Sequence, residues 1–177
     1  IKNLNLSNDN KINDFGNVII NLLDTEDLKN NLRLIKKDKD YLVSGKSFNI
    51  NKIINQLLES ENKDELKFFN KDFKINFDID RVYLDKDNLI SNLKGFLFLN
   101  KNEISELILE SKFSNNKNIK FTIKDKGNEK ITTLYSHKAK PFVDRYKFIK
   151  GFEEGDLDFY SIKKDGLAKS TLKIDNF

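Results

Sequence analysis

FKINFDID, residues 73–80, puts Phe73, Ile75, Phe77 and Ile79 on one side of an extended chain and Lys74, Asn76, Asp78 and Asp80 on the other. Successive side chains of a strand point to opposite faces, so this period of two predicts a strand with one buried and one solvated face. Past Arg81 the apolar positions change parity to Val82 and Leu84. A bulge, a bend or a short loop is therefore expected near Asp80 and Arg81. The texture continues downstream. Leu93 to Leu99 is apolar on both sides of the chain around Gly95, Leu107, Leu109 and Phe113 keep one parity, and Ile119, Phe121 and Ile123 follow. A polar turn at Lys126 to Asn128 precedes a further strand from Ile131 to Tyr135. These spacings predict an antiparallel meander.

Outward from this centre the pattern changes twice to helical spacing. Ile50, Ile53, Ile54, Leu57 and Leu58 predict a short amphipathic helix over Ile50 to Glu59, and Phe142, Val143, Tyr146 and Ile149 predict a second that starts near Pro141 and stops at Gly151. Leu4 with Leu6 and Val18 to Leu23 read as two short strands. Leu32 to Ile35 and Tyr41 to Ser44 flank a charged, glycine-free hairpin turn over Lys36 to Asp40. Leu157, Phe159 and Ser161, then Leu172 and Ile174, give two closing strands joined at Asp165 and Gly166. The expected fold is mainly β: an antiparallel meander forming a curved, groove-like sheet or open sandwich, with two short α-helices.

The chain has 177 residues, long enough for one domain with a real core, and no low-complexity linker divides it. Its 32 basic and 28 acidic residues are interleaved, so the net charge of +4 reads as a solvated lysine-rich surface and not as a nucleic-acid footprint. Abundant Lys, Asn, Ile and Phe, with no Trp, Cys or Met, resembles the codon bias of an AT-rich genome. Without cysteine there are no disulfides and no thiolate metal sites, which suits the cytosol or an envelope compartment. No apolar run approaches the roughly 20 residues of a membrane helix. The chain begins at Ile1 and stops at Phe177, so it is expected to be a piece of something longer.

Catalytic constellations are missing from the pattern. His137 is the one histidine, which rules out multi-histidine metal sites, and no phosphate-binding glycine loop or dinucleotide fingerprint occurs. Asp78 with Asp80 and Asp156 with Asp158 read as the solvated halves of alternating strands. Asp85 to Asn88 lacks the dense oxygen ligands and glycine of a calcium loop. A carbohydrate-processing site would need Glu153 or Asp158 in a pocket with a second carboxylate at glycosidase spacing. No catalytic residue, metal or cofactor is expected.

An apolar sheet face must be covered. A second layer can close over it as a sandwich core, or the sheet can curl into a trough whose floor is covered by a ligand such as a lipid tail. Periodicity by itself favours the closed core, since both leave the same pattern.

The run FDIDRVYLDKDNLISNLKGFLFLNKNEISELILESKF, Phe77 to Phe113, resembles the strand, gap, L-x-N-x-x-G-x-L, strand texture of AsmA-like bacterial envelope proteins, especially their YhdP-type domain, a group that also includes TamB. The segment Ile131 to Phe177 is similar to the same family: a strand ending near Ser136, a short helix over Phe142 to Ile149, glycines at 151 and 155, and a last strand closing on Leu172, Ile174, Asp175 and Phe177. Tyr41 to Leu58 resembles the family's strand, turn and helix, although Asn49 stands where Asp is common. Pro141 in the helix region is another departure. The resemblance implies a non-enzymatic β-groove domain of a longer protein anchored in the inner membrane and facing the periplasm. Its implied work is phospholipid transport between the two membranes and outer-membrane integrity. The implied partners are phospholipid acyl chains, adjoining domains of the same chain and the membrane through the parent's anchor, with no nucleic acid. By parity, Phe73, Ile75, Phe77, Ile79, Leu107, Leu109, Phe121 and Ile123 are the candidate groove-lining residues. The alternative is a closed β-sandwich serving as a protein-binding or spacer module.

Overall fold

The computed structural model describes residues 1–6, 12–51, 72–100, 103–144 and 154–176. Twelve strands and one short helix are found there: β1 (Asn5–Leu6), β2 (Ile12–Asp14), β3 (Asn17–Leu23), β4 (Lys29–Lys37), β5 (Asp40–Asn49), β6 (Phe73–Tyr83), β7 (Leu89–Asn100), β8 (Glu103–Phe113), β9 (Asn118–Asp125), β10 (Glu129–Ser136), α1 (Lys140–Val143), β11 (Asp156–Lys164) and β12 (Leu167–Asp175). β3 to β12 form one open, curled ten-stranded sheet in sequence order, and β1 pairs with β2 beside it. The sheet is mainly β and groove-like, as its alternation predicts.

The antiparallel expectation fails at one seam. β5 and β6 run parallel, with Tyr41 opposite Ile75 and Val43 opposite Phe77, whereas the other neighbours in the sheet are antiparallel. Parallel and antiparallel ladders share the same period of two, so alternation carries no sign of strand direction. The first predicted helix lies, beyond Asn51, outside the described residues. So do Tyr146, Ile149 and Gly151 of the second. Its start is α1, with Pro141 in the first turn, where a missing N–H costs nothing.

The turns follow from local chemistry. Lys37 pairs with Asp40 across a two-residue turn in which Asp38 takes φ 56°, so an aspartate supplies the left-handed residue where glycine is absent. Lys164 pairs with Leu167 in the same way, with Asp165 at φ 49° and Gly166 at φ 80°.

The parity change at Asp80 and Arg81 is collective. Ile79 and Val82 both pack in the main core, and so do their partners Leu93 and Ile90 on β7, while Gly45 and Phe48 oppose them on β5. Each of these central strands therefore carries the extra residue at one level, in register with the next. The mismatch is absorbed at the borders, where register shifts separate Asn31 from Leu32 against β5 and Ser91 from Lys94 against β8. Gly45 lies at the first border, where a Cβ would come within 2.1 Å of the Asn31 carbonyl oxygen.

Three apolar clusters hold the sheet. The largest joins Leu32, Ile79, Val82, Leu93, Phe113 and Ile119, and its half-buried neighbours extend from Ile20 on β3 to Leu134 on β10. Such reach along one face requires the sheet to curl around it. Phe15, after β2, stacks on Tyr41 with ring centroids 4.7 Å apart, and Tyr41 meets Phe73 edge-on at 5.3 Å. Ala139 and Val143 close α1 onto Leu157 of β11.

Candidate functional site: the apolar face of the sheet

Strand register assigns every side chain to a face. One cross-strand row runs Val18, Leu34, Val43, Phe77, Gly95 from β3 to β7. It continues through Leu109, Phe121, Leu134, Phe159 and Leu172 from β8 to β12. Each of the ten strands contributes one residue, and none of them is polar. The next row passes through Tyr41, Ile75, Leu97, Leu107 and Ile123, then turns hydroxylated at Thr132, Ser161 and Ser170.

All eight sequence-nominated residues fall on this face, in two groups. Phe73, Ile79 and Leu107 are buried, Phe73 in the aromatic cluster and Ile79 in the main core. Ile75, Phe77, Leu109, Phe121 and Ile123 are half-buried. The ten-residue row as a whole is half-buried except Leu172, which is 41% exposed. Protein thus covers the face toward both strand ends, at Phe73 and at Ile79, and at Leu107 between them, while the central row stays partly open.

Polar networks fix both ends. At one, Asp14 accepts hydrogen bonds from Lys36 and from the Tyr41 hydroxyl, the latter at 2.8 Å. Burial, reinforced by Asp14, pushes the Tyr41 hydroxyl up to about 12. At the other, Asp24 accepts from the backbone N–H groups of Glu26 and Leu28 and from the amides of Asn30 and Asn49. Its partial desolvation, which opposes ionisation, is outweighed by those donors, and the carboxyl falls to about 2. Lys138 donates to Asn88 Oδ1 at 2.8 Å, tying the segment after β10 to the β6–β7 loop. A cleft of about 610 Å³ opens there, lined by charges of both signs including Glu26, Asp85, Lys86 and Lys140.

His137 has a partner that sequence separation conceals. Ser136 opposes Leu157 in the β10–β11 ladder, so the flanking His137 and Asp156 meet, with Nδ1 2.7 Å from Asp156 Oδ1. Asn176 donates to the other oxygen at 2.8 Å, and these hydrogen bonds, Asn176 first, hold the Asp156 carboxyl below the usual range. Asp78 is exposed and lies 3.9 Å from Lys94, a surface pair. Asp158 is exposed on the convex side, and Glu153 lies outside the described residues. Among the described residues no group of three acidic or histidine side chains is placed to hold a metal, and no helix is long and apolar enough to cross a membrane.

No family model, curated protein or solved structure matches the chain.

Proposed function

We propose that the chain is a non-enzymatic domain of the bacterial cell envelope whose curled sheet forms a segment of apolar groove for phospholipid acyl chains, on the periplasmic side of the inner membrane. The supporting observation is the central row: apolar on every strand, half-open along its length, with no second sheet over it among the described residues. Fully burying an aliphatic or aromatic side chain is worth about 1.5–3 kcal/mol, so a row of half-wet ones favours an apolar cover. Neighbouring strands lie about 4.8 Å apart, so ten strands give roughly 43 Å of floor. One leaflet of a bilayer's hydrocarbon is about 15 Å thick, and the floor exceeds one extended acyl chain. The resemblance to AsmA-like envelope proteins points to the same cargo and, through adjoining domains and a membrane anchor of a parent protein, to movement between the membranes.

The test is lipid extraction from the purified chain followed by mass spectrometry. Phospholipid is expected to accompany the wild type and to be lost from Phe77→Asp and Leu109→Asp variants that keep the β-rich circular dichroism spectrum. A folded chain that carries no lipid and takes up none from vesicles overturns the proposal and leaves the spacer reading.

A further inference from the structure

The concave floor changes character toward one corner. On β5 to β7 it stays apolar to the strand ends, where Tyr41, Phe73 and Leu99 pack with Phe15. On β9 to β11 the same end turns polar row by row. Beside Phe121, Leu134 and Phe159 come Ile123, Thr132 and Ser161, and one row further Asp125, Lys130 and Lys163. Strand alternation keeps all of these on the concave side, since neither ladder contains a register shift. At the opposite end of these strands the polarity reverses, with Leu157 and Ile174 packed against Ala139 and Val143.

The charges in this corner sort by sign. Lys130 and Lys163 are cross-strand partners, and like charges directly opposite destabilise a ladder. Acids lie on the other flank. Asp125 of β9 stands opposite Lys130 and accepts the Gly127 N–H at 2.8 Å, while Glu103 Oε2 of β8 lies 3.5 Å from Lys130 Nζ. Carboxylates thus occupy β8 and β9 and ammonium groups β10 and β11, on strands about 4.8 Å apart. The Lys130 and Glu103 side chains are 29% and 76% exposed, and so open an ion pair adds little to the fold.

We infer that this corner receives the headgroup of the lipid whose tails lie on the apolar row, and that the headgroup is a zwitterion. A phosphodiester joined by a short linker to an ammonium, as in phosphatidylethanolamine, matches both signs. Its phosphate lies between Lys130 and Lys163 and relieves their repulsion. Its ammonium faces Asp125 and Glu103, and the hydroxyls of Thr132 and Ser161 reach the ester carbonyls next to the tails. Phosphatidylglycerol would satisfy the lysines but set no cation against the two carboxylates. The inference rests on the groove reading above and adds to it the class of headgroup and the direction in which the lipid lies.

Fluorescence titration of the purified chain with acyl-labelled phosphatidylethanolamine, phosphatidylglycerol and diacylglycerol tests it. Phosphatidylethanolamine is expected to bind most tightly. The double variant Lys130→Gln, Lys163→Gln is expected to bind both phospholipids about tenfold more weakly, the effect of a lost charge-assisted hydrogen bond, and diacylglycerol as before. Asp125→Asn should weaken phosphatidylethanolamine alone. These sites are not buried, so circular dichroism is expected to stay unchanged. Equal binding of the three probes, unmoved by the variants, overturns the inference and leaves the groove standing. Binding of none of them overturns both. Competition by inorganic phosphate as effective as that by the lipid assigns the corner to a free anion and overturns the headgroup assignment.

Discussion

Phe77 and Leu109 stand in one cross-strand row with only Gly95 between them. Gly95 holds φ 146°, a region that L-residues avoid, and a Cβ there would lie 1.9 Å from the Ile108 carbonyl oxygen. Backbone on the neighbouring strand cannot step aside as a flexible side chain would. Gly95→Ala is expected to destabilise the chain by about 3 kcal/mol, combining backbone strain and overpacking, as measured by urea unfolding. A stability near wild type would mean that β7 and β8 relax around the added methyl.

Buried positions beside a half-open central row make the apolar face unequal to truncation. Ile79 is 2% exposed within the main core, and Ile79→Ala is expected to cost about 3–4 kcal/mol. Leu109→Ala, in the half-open row, is expected to cost about 1–2 kcal/mol because less of its surface leaves water on folding. Equal losses in denaturant titrations would point to a closed core along the whole face.

Acid sensitivity is expected to centre on Asp24. Its folded carboxyl lies at about 2 against 3.8 for the free side chain, so the native state binds fewer protons than the unfolded chain. Its contribution is complete above about pH 4 and is lost as pH falls toward 2. Asp24→Asn is expected to lower stability at neutral pH and to flatten the stability curve across that window. A variant whose acid unfolding keeps the wild-type slope would assign the effect elsewhere.

Tyr41 behaves in the opposite sense. With a hydroxyl raised to about 12, it favours the protonated folded form. The associated stability is present below about pH 10 and is lost as pH rises through 12. Ultraviolet titration of the five tyrosines should show Tyr41 ionising late, with Tyr135 also raised by desolvation and by Asp156, and Tyr41→Phe should remove the Tyr41 step at a cost of about 1 kcal/mol for the lost bond to Asp14.

Much of the sheet was legible because alternation reports burial directly. Phe73 to Ile79, Leu107 to Phe113 and Ile119 to Ile123 keep their apolar parity on the concave side, and the break at Asp80 and Arg81 marks a real change of parity that keeps Val82 on the same face as Ile79. Direction at the β5–β6 seam was not legible, since a period of two is blind to it. Nor was the division of the eight nominated residues into buried and half-open, which depends on what packs over each one. Phe15 and Tyr41 cover Phe73 from other parts of the chain. The His137–Asp156 contact was hidden for a similar reason: only the β10–β11 register brings the two together.

The parallel seam has a consequence for how the chain folds. Most neighbours in the sheet are joined by short turns, but two connections are long: β10 ends at Ser136 and β11 begins at Asp156, and β5 ends at Asn49 and β6 begins at Phe73. Closing these two carries the greater entropic cost, so the chain divides kinetically into two meanders, β3 to β5 and β6 to β10, and the β11–β12 hairpin. Each can zip from its own turns before they dock, β5 on β6 across the parallel connection. Amide exchange should resolve them as separate cooperative units, and two polypeptides separated within this connection should reassemble when mixed.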